Sequence, residues 1–287
     1  MSAIAALLPD GRLHLQHGPI DCLCQAWGSP REVQTAYTQA AAFFQTVLHD
    51  LCAELRLLRQ PLPSPQPHGA VAQAMYAACT PFVSPFITPM AAVAGAVADA
   101  VLAALRHDRH LSKAFVNNGG DIAFHLEPGM SLRCGLVTDL TTPALDGAFL
   151  LTAAHPSRGL ATSGRACKGQ GGRSFSFGIA DSVTILARTA AQADAAATIV
   201  GNAVNLPGHP AIDRRPARDI DPNTDLGDRL ITFGVGTLSD TDIDTALDAG
   251  ATIADTLLQA GLINSAVLAM RGHLRVRQSH ITRLEAA

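Results

Sequence analysis

The sequence predicts an α+β fold on three observations: apolar stripes recur at helical spacing, short β-rich runs stand between turn residues, and the two kinds of segment alternate along the chain. The 287 residues are 48% hydrophobic with a mean hydropathy of +0.20, ample for one large domain or two intimately packed halves. Aromatic residues supply only 5%, so the core rests on many small side chains and its elements can approach closely. Residues 1–287 are taken as a single domain.

Ser29-Pro30-Arg31-Glu32 opens the first long helix, with serine at the N-cap, proline at the first helical position and glutamate completing a capping box. Val33, Ala36, Tyr37, Ala40, Phe44 and Val47 begin its apolar stripe, which continues to Leu58. The proline-rich stretch 61–68 stops it and is read as a loop or linker, the loop preferred because apolar helix resumes almost at once. A second helix from Thr88 to Leu105 leads into a strand at Ala114–Val116, a turn at Asn117-Asn118-Gly119-Gly120-Asp121 and a strand at Ile122–Phe124. Further strands fit Ser131 to Val137, Ala148 to Thr152 and Ser182 to Ala187. Thr189-Ala190-Ala191-Gln192 is a second capping box that starts an alanine-rich helix, and Ser239-Asp240-Thr241-Asp242 starts a third long one. Between those two helices the run Asp213 to Arg229 alternates in sign without periodicity and reads as a solvated loop.

Composition argues against several partners. A formal charge of -3, a pI near 6.4 and no basic cluster longer than Arg214-Arg215 speak against nucleic acid or an anionic membrane as main partner, leaving a small molecule. The most apolar stretch, Pro89 to Leu105, is short for a bilayer and carries Asp99, so it is expected as a buried helix. The apolar segment Met1 to Pro9 has no basic leader and no cleavage site, which sets the expectation of a cytoplasmic protein. Six scattered cysteines without C-x-x-C spacing read as reduced structural thiols. A homo-oligomer is compatible with all of this.

Asp194 and Thr198 are the sharpest candidates for chemistry. Four residues apart near a helix start, they share one face, and a carboxylate beside a hydroxyl suits magnesium, which takes one or two protein oxygens and fills its octahedron with water and phosphate. A solvated first-turn aspartate is the plainer alternative. Gly119, Gly120 and Asp121 form a turn whose glycines permit close ligand approach or simply close a hairpin. Lys168-Gly169-Gln170-Gly171-Gly172-Arg173-Ser174 offers backbone amides, two cations and the Ser174 hydroxyl, as a phosphate-cradling loop does, or else a flexible surface loop. His17, His125 and His155 are ordinary histidines.

Ser182-Val183-Thr184-Ile185-Leu186-Ala187 followed by Thr189-Ala190-Ala191-Gln192-Ala193-Asp194-Ala195 and Thr198 resembles the S-V-T-V-x-A, T-A-x-x-A-D-A-x-x-T text of the ApbE-type FAD:protein FMN transferases. Asn117 to Ile122 resembles their N-x-G-G-D-I turn, Gly95 to Asp99 their G-Y-A-V-D, and Ala161-Thr162-Ser163-Gly164 their A-T-S-G. The chain is thus identified as a member of the ApbE-like superfamily on motifs between about 88 and 200. The resemblance implies mixed and antiparallel sheets with packed helices, in two related halves around a cleft. It also implies magnesium on Asp194 and Thr198, FAD or FMN as ligand, and a cofactor site drawn from Gly119, Gly120, Asp121, Thr162, Ser163, Gly164, Ser174 and Asp181.

The chain departs from the transferases where they act. Ala94 stands at their lysine position, the H-I-x-D-P-x-T-G segment is replaced by the connection from Arg165 to Ala180, and no F-N-R-F element is found. Asp181 is the carboxylate that could substitute for one lost there. The text P-M-A-A-V-A-G-A, N-G-G-D-I and S-F-S-F-G-x-A-D resembles an uncharacterised branch of the superfamily. Three functions follow: a magnesium-assisted flavin or nucleotide enzyme of the FMN-transferase or FAD-hydrolase kind, a non-catalytic flavin or related cofactor binder, and a different enzyme acting on a small anionic metabolite.

Overall fold

The computed structural model describes residues 2–84, 86–136, 147–164, 175–279 and 284–286. In chain order these form β1 (Ile4–Leu7), β2 (Leu13–His17), β3 (Ile20–Gly28), α1 (Pro30–Ala53), α2 (Leu55–Leu58), α3 (Ala70–Cys79), α4 (Val93–Arg106), β4 (Leu111–Asn118), β5 (Asp121–Leu126), β6 (Ser131–Leu136) and β7 (Gly147–Thr152). They continue as β8 (Gly159–Ser163), β9 (Ser182–Ala187), α5 (Ala190–Ala203), β10 (Ile212–Pro216), α6 (Ala217–Ile220), β11 (Leu230–Val235), α7 (Asp240–Gln259), β12 (Ser265–Met270), β13 (His273–Gln278) and β14 (Leu284–Ala286). The expected α+β class is the observed one.

Two compact units are present: Met1–Arg133 with Leu150–Ala161 and Leu186–Ala195, and Cys134–Phe149 with Thr162–Ile185 and Ala196–Ala287. The 61–68 stretch lies inside the first, between α2 and α3.

In the first unit β1, β2, β3, β4, β5 and the start of β8 are neighbours in one antiparallel sheet. Alternate residues of β2 and β3 are buried, Leu13 and Leu15 on one, Ile20, Cys22, Cys24 and Ala26 on the other, because α1 covers that face. α1 lays Ala36, Tyr37, Ala40, Phe44, Val47 and Leu51 inward, the periodicity the sequence announced. Ser29 caps it by accepting from the Glu32 N–H at 3.3 Å. Glu32 does not close the predicted box. Its carboxylate instead accepts from the His110 N–H at 2.9 Å and pairs with Arg109 at 3.3 Å, while Gln39 donates to the Ala104 and His107 carbonyls, so α1 ties down the exit of α4. Pro89–Arg106 is long and apolar enough to cross a membrane by composition, but half of it is buried within the protein, with Val97, Val101 and Leu105 packed toward β4, β5 and α1. A core helix explains its composition.

In the second unit β9, β12 and β13 are neighbours. All six residues of β9 and of β12 are buried. β13 is an edge, and its alternate residues His273, Arg275 and Arg277 reach Asp244, Asp248 and Asp255 of α7 at 2.7 to 3.1 Å. At the helix start expected there, Ser239 and Asp242 form a capping box for α7, each accepting the other's backbone N–H. The run read as a solvated loop is corrected here: Ile212–Pro216 pairs with β11, and Arg214 is drawn into a polar network described below. Its lack of period hid a two-stranded ribbon, whose register shifts at Asp213/Arg214 and so breaks the alternation. The three N-terminal strands and β11 to β13 were not foreseen either.

Candidate functional site

In the first unit β4 and β5 are joined by Gly119 and Gly120 alone, with φ of +64° and +107°. Both central residues of a two-residue type I′ hairpin need positive φ, which glycine adopts without a Cβ penalty. A Cβ at either position would meet nothing within 4 Å, so conformation, not crowding, dictates these glycines. The Asn117 side chain accepts from the Gly120 N–H at 2.8 Å, and buried Asn118 donates to the Ala94 carbonyl at 3.0 Å, fixing the hairpin to the entry of α4.

That entry meets the entry of α5. Asp99, on the second turn of α4, accepts from the Ala190 and Ala191 N–H groups at 3.0 and 2.9 Å. Asp194, on the second turn of α5, accepts from the Gly95 N–H at 3.0 Å and from Ala94. Each helix thus supplies the carboxylate that caps the other, satisfying amides that have no partner in their own helix. Thr189 adds its hydroxyl to the Gln192 N–H at 3.1 Å. Close approach is the condition for this arrangement. A Cβ on Gly95 would overlap the Ala190 carbonyl, and one on Gly159 would overlap the Thr189–Ala190 peptide.

Burial pushes the Asp194 carboxyl up to about 7, with the Asp99 charge raising it further and the Ala94 and Gly95 amides opposing. Burial likewise raises Asp99, against the pull of the amides it caps. A freely solvated aspartate does not describe Asp194: the residue is half-buried and its carboxylate accepts from the Gly95 N–H. Thr198 is partly exposed further along α5.

The second unit holds the other motif residues. Thr162 and Thr184 share a hydroxyl hydrogen bond at 2.9 Å between β8 and β9. Ser163 is partly exposed and Gly164 buried, with φ of +132° and the Asp181 carbonyl 2.7 Å from where a Cβ would stand. Asp181 accepts from the Arg271 N–H at 2.5 Å through its side chain and donates its own N–H to Ala269 at 3.0 Å, which anchors it to the β12–β13 turn. Ser174, with the whole Lys168 to Ser174 loop and Cys167, lies outside the described residues.

Sequence reasoning missed the residues that hold the S-F-S-F-G segment. Asn202 accepts from the Phe177 N–H at 2.9 Å and from Ser176, and Asn205 donates to the Phe177 carbonyl at 2.9 Å. Arg214 reaches that same carbonyl at 2.8 Å and Asn205 at 2.5 Å, and Thr232 donates to it at 3.3 Å. Gly178 is pressed against Gly201, where a Cβ would overlap the carbonyl. Two asparagines three apart after the alanine run were the only signal, and asparagine in a helix end is common enough to carry none.

Among the described residues no three His, Cys, Asp or Glu side chains converge as a metal site would need. A cation at Asp194 would rest on few protein oxygens, as magnesium tolerates. Two concavities lie elsewhere, one of about 160 Å³ beside Leu7 and Tyr37 and one of about 500 Å³ lined by Met130, Ser131 and Thr152. His155 is buried, with Nδ1 accepting from the Ser157 N–H, and burial lowers its pKa. Cys22 and Cys134 are buried free thiols pushed up to about 12 and about 11 by desolvation.

A family described as AbpE bacteria matches residues 5–276. A UPF0280 protein of Methanothermobacter thermautotrophicus is 40% identical over 94 residues, covering 33% of this chain and 34% of that protein. One from Methanospirillum hungatei is 37% identical over 103 residues, covering 36% and 40%. The chain thus spans well under half the length of these relatives. Among solved structures, the flavinyl transferase ApbE of Pseudomonas stutzeri, apo form, aligns over 98% of this chain and 96% of its own at 9% identity and a TM-score of 0.47. The ApbE protein of Thermotoga maritima aligns over 89% and 77% at 12% identity and 0.39. At such values neither bears on this chain's chemistry.

Proposed function

The chain belongs to the AbpE bacteria family, matched from residue 5 to 276, and on that premise we propose that it is a flavin- or nucleotide-handling protein whose ligand sits where the Gly95, Asn117 and Thr189 motifs meet. The observation that supports this is their convergence: three segments far apart in sequence are joined through the Asn118 to Ala94, Asp99 to Ala190 and Asp194 to Gly95 hydrogen bonds. All three are the segments that resemble the transferases.

Asp194, with Thr198 one turn along α5, would hold magnesium, which when bound neutralises diphosphate charge. The fit is reasonable, since a carboxylate offers about four lone-pair sites and the Ala94 and Gly95 amides take only part of them. The chain's own residues set the rest. The first-turn amides of α4 and α5 are consumed by Asp194 and Asp99, so they are not free to cradle phosphate as open helix starts do. Ala94 brings no cation of its own. Losing one preorganised charge contact costs on the order of a hundredfold in rate, so slow cleavage of FAD to AMP and FMN is expected in place of FMN transfer to a protein threonine.

Incubating the purified chain with FAD, with magnesium or a chelator, separates the readings. Quenched flavin fluorescence and magnesium-dependent AMP release support the enzyme. Flavin bound without AMP favours the second reading, a binder, which the missing cation at Ala94 supports. FAD neither bound nor cleaved removes the flavin site.

A further inference from the structure

The first strand is an unprotected sheet edge. Among the described residues β1 pairs with β2 on one side only and is the outermost strand, so its other side presents backbone N–H and C=O groups that no described strand pairs. All four of its residues are exposed, with Ile4 at 55% and Leu7 at 63%. Sheet edges are ordinarily guarded by charges, prolines or bulges. β13, the edge in the second unit, carries His273, Arg275 and Arg277, whereas the segment from Ser2 to Leu8 carries no charge, its pairing with β2 runs without a bulge, and proline appears only at Pro9.

The surface beside it is equally uncharged. From Val33 to Leu48 α1 contains no Asp, Glu, Lys or Arg over four turns, although Gln34, Thr38, Ala42, Phe43 and Gln45 are exposed. A solvent-facing helix normally carries charge on that side, and depletion of charge marks the core of an interface. Leu7 and Leu13 line a concavity of about 160 Å³ with Gln34, Tyr37, Thr38 and Ala41, which joins the strand edge to the helix face.

We propose that this surface binds a second copy of the chain, β1 pairing antiparallel with β1 across a two-fold axis and α1 flanking α1. A self-complementary patch is what such an interface requires, and the strand meets the requirement. In a two-fold antiparallel pair opposed residues point to the same face. An axis through Ala6 therefore sets Leu7 of each copy against Ala5 of the other and Leu8 against Ile4, large side chain beside small along the Leu7 face. The absence of charge on β1 and on α1 from Val33 to Leu48 matches another copy of the same surface and offers nothing to an acidic or basic partner.

The mass of the full-length protein in solution, followed with concentration, is the test. Wild type should show twice the 29.9 kDa chain mass, and Leu7→Lys or Thr38→Lys, both at exposed positions that a monomer tolerates, should return it to one chain mass with an unchanged circular dichroism spectrum. In a Cys52→Ser background, which removes an exposed thiol, Ala6→Cys should crosslink to itself under mild oxidation, because opposed Cα atoms in such a pair stand about 4.5–5.5 Å apart and a disulfide accepts that span. Ile4→Cys should not. A wild-type protein that stays at one chain mass to its solubility limit, or a dimer that persists in both lysine variants, overturns the proposal. So does a β1 edge that is taken by a different protein while the pure chain remains single.

Discussion

Asp99 and Asp194 exchange helices: each carboxylate sits on one helix and closes the amides at the start of the other, at 2.9 to 3.0 Å. The two motif aspartates therefore have a folding role whether or not either touches a ligand, and the two roles must be separated experimentally.

Asp99→Ala should lower unfolding free energy by about 1–2 kcal/mol, the usual loss of a helix cap, since it strands the Ala190 and Ala191 amides. Asp194→Asn keeps an acceptor for Gly95 and should cost less at acid pH, where both side chains are neutral, yet remove any magnesium dependence of flavin binding. Urea unfolding beside magnesium-titrated fluorescence measures both. An Asp194→Asn protein with wild-type magnesium dependence would take the metal away from this residue.

The same residue makes stability depend on pH in a stated direction. Its carboxyl holds a proton to about 7 in the folded chain against an ordinary 3.8, so the folded state binds more protons between those values. Its contribution is fully present below about pH 4 and is lost as pH rises to about 7, at no more than about 1.4 kcal/mol per pH unit. The stability of wild type relative to Asp194→Asn, read from melting temperatures, should fall across that window, change sign because the loss exceeds the small cost of the amide, and level off above about pH 7. A constant difference would mean an ordinary carboxyl.

Gly95→Ala should destabilise by about 1–3 kcal/mol or more, as overpacking does, because its methyl would overlap the Ala190 carbonyl. Gly234→Ala is the control, with the nearest atom 3.6 Å away and no positive φ. Equal melting temperatures for the two variants would show that α4 and α5 can move apart freely.

Arg214→Ala should cost about 1–3 kcal/mol by removing the charged hydrogen bonds that the Phe177 carbonyl and the Asn205 side-chain oxygen accept from it. Arg215→Ala, which removes a cation stacked 3.6 Å over the exposed Phe233 ring and an exposed ion pair with Asp213, should cost at most about 1 kcal/mol. Chemical denaturation compares them, and a reversed order would show that Arg214 only decorates the segment.

Local rules wrote much of this fold into the sequence. The α1 stripe, the Ser239 capping box, the Gly119-Gly120 turn and the limits of β9 all follow from spacing or from residues that only one backbone conformation suits. β2 and β3 do carry a local alternation, Leu13 and Leu15 on one and Ile20, Cys22, Cys24 and Ala26 on the other, but nothing local marks the pairing of β3 with β4, which is made across the whole helical stretch from Ser29 to His110. Glu32 fits a capping box by spacing, yet its true partners lie at Arg109 and His110, beyond any local rule. For the site, Asp194 was found by its helical position and by the motif around it. Its hold on α4 could not be, because the close approach over Gly95 that permits it is a tertiary fact.

The pairing of β3 with β4 also sets how the chain reaches its fold. β1, β2 and β3 meet through short turns, as do β4 and β5, so each group can zip locally within microseconds. Joining the two groups closes a loop that contains α1 to α4, and loop closure must come before the contacts that reward it. A nascent chain thus carries a finished meander whose β3 edge waits for its neighbour until His110 has been passed, and helices that bury that meander early would shorten the time it stands open to the wrong strand.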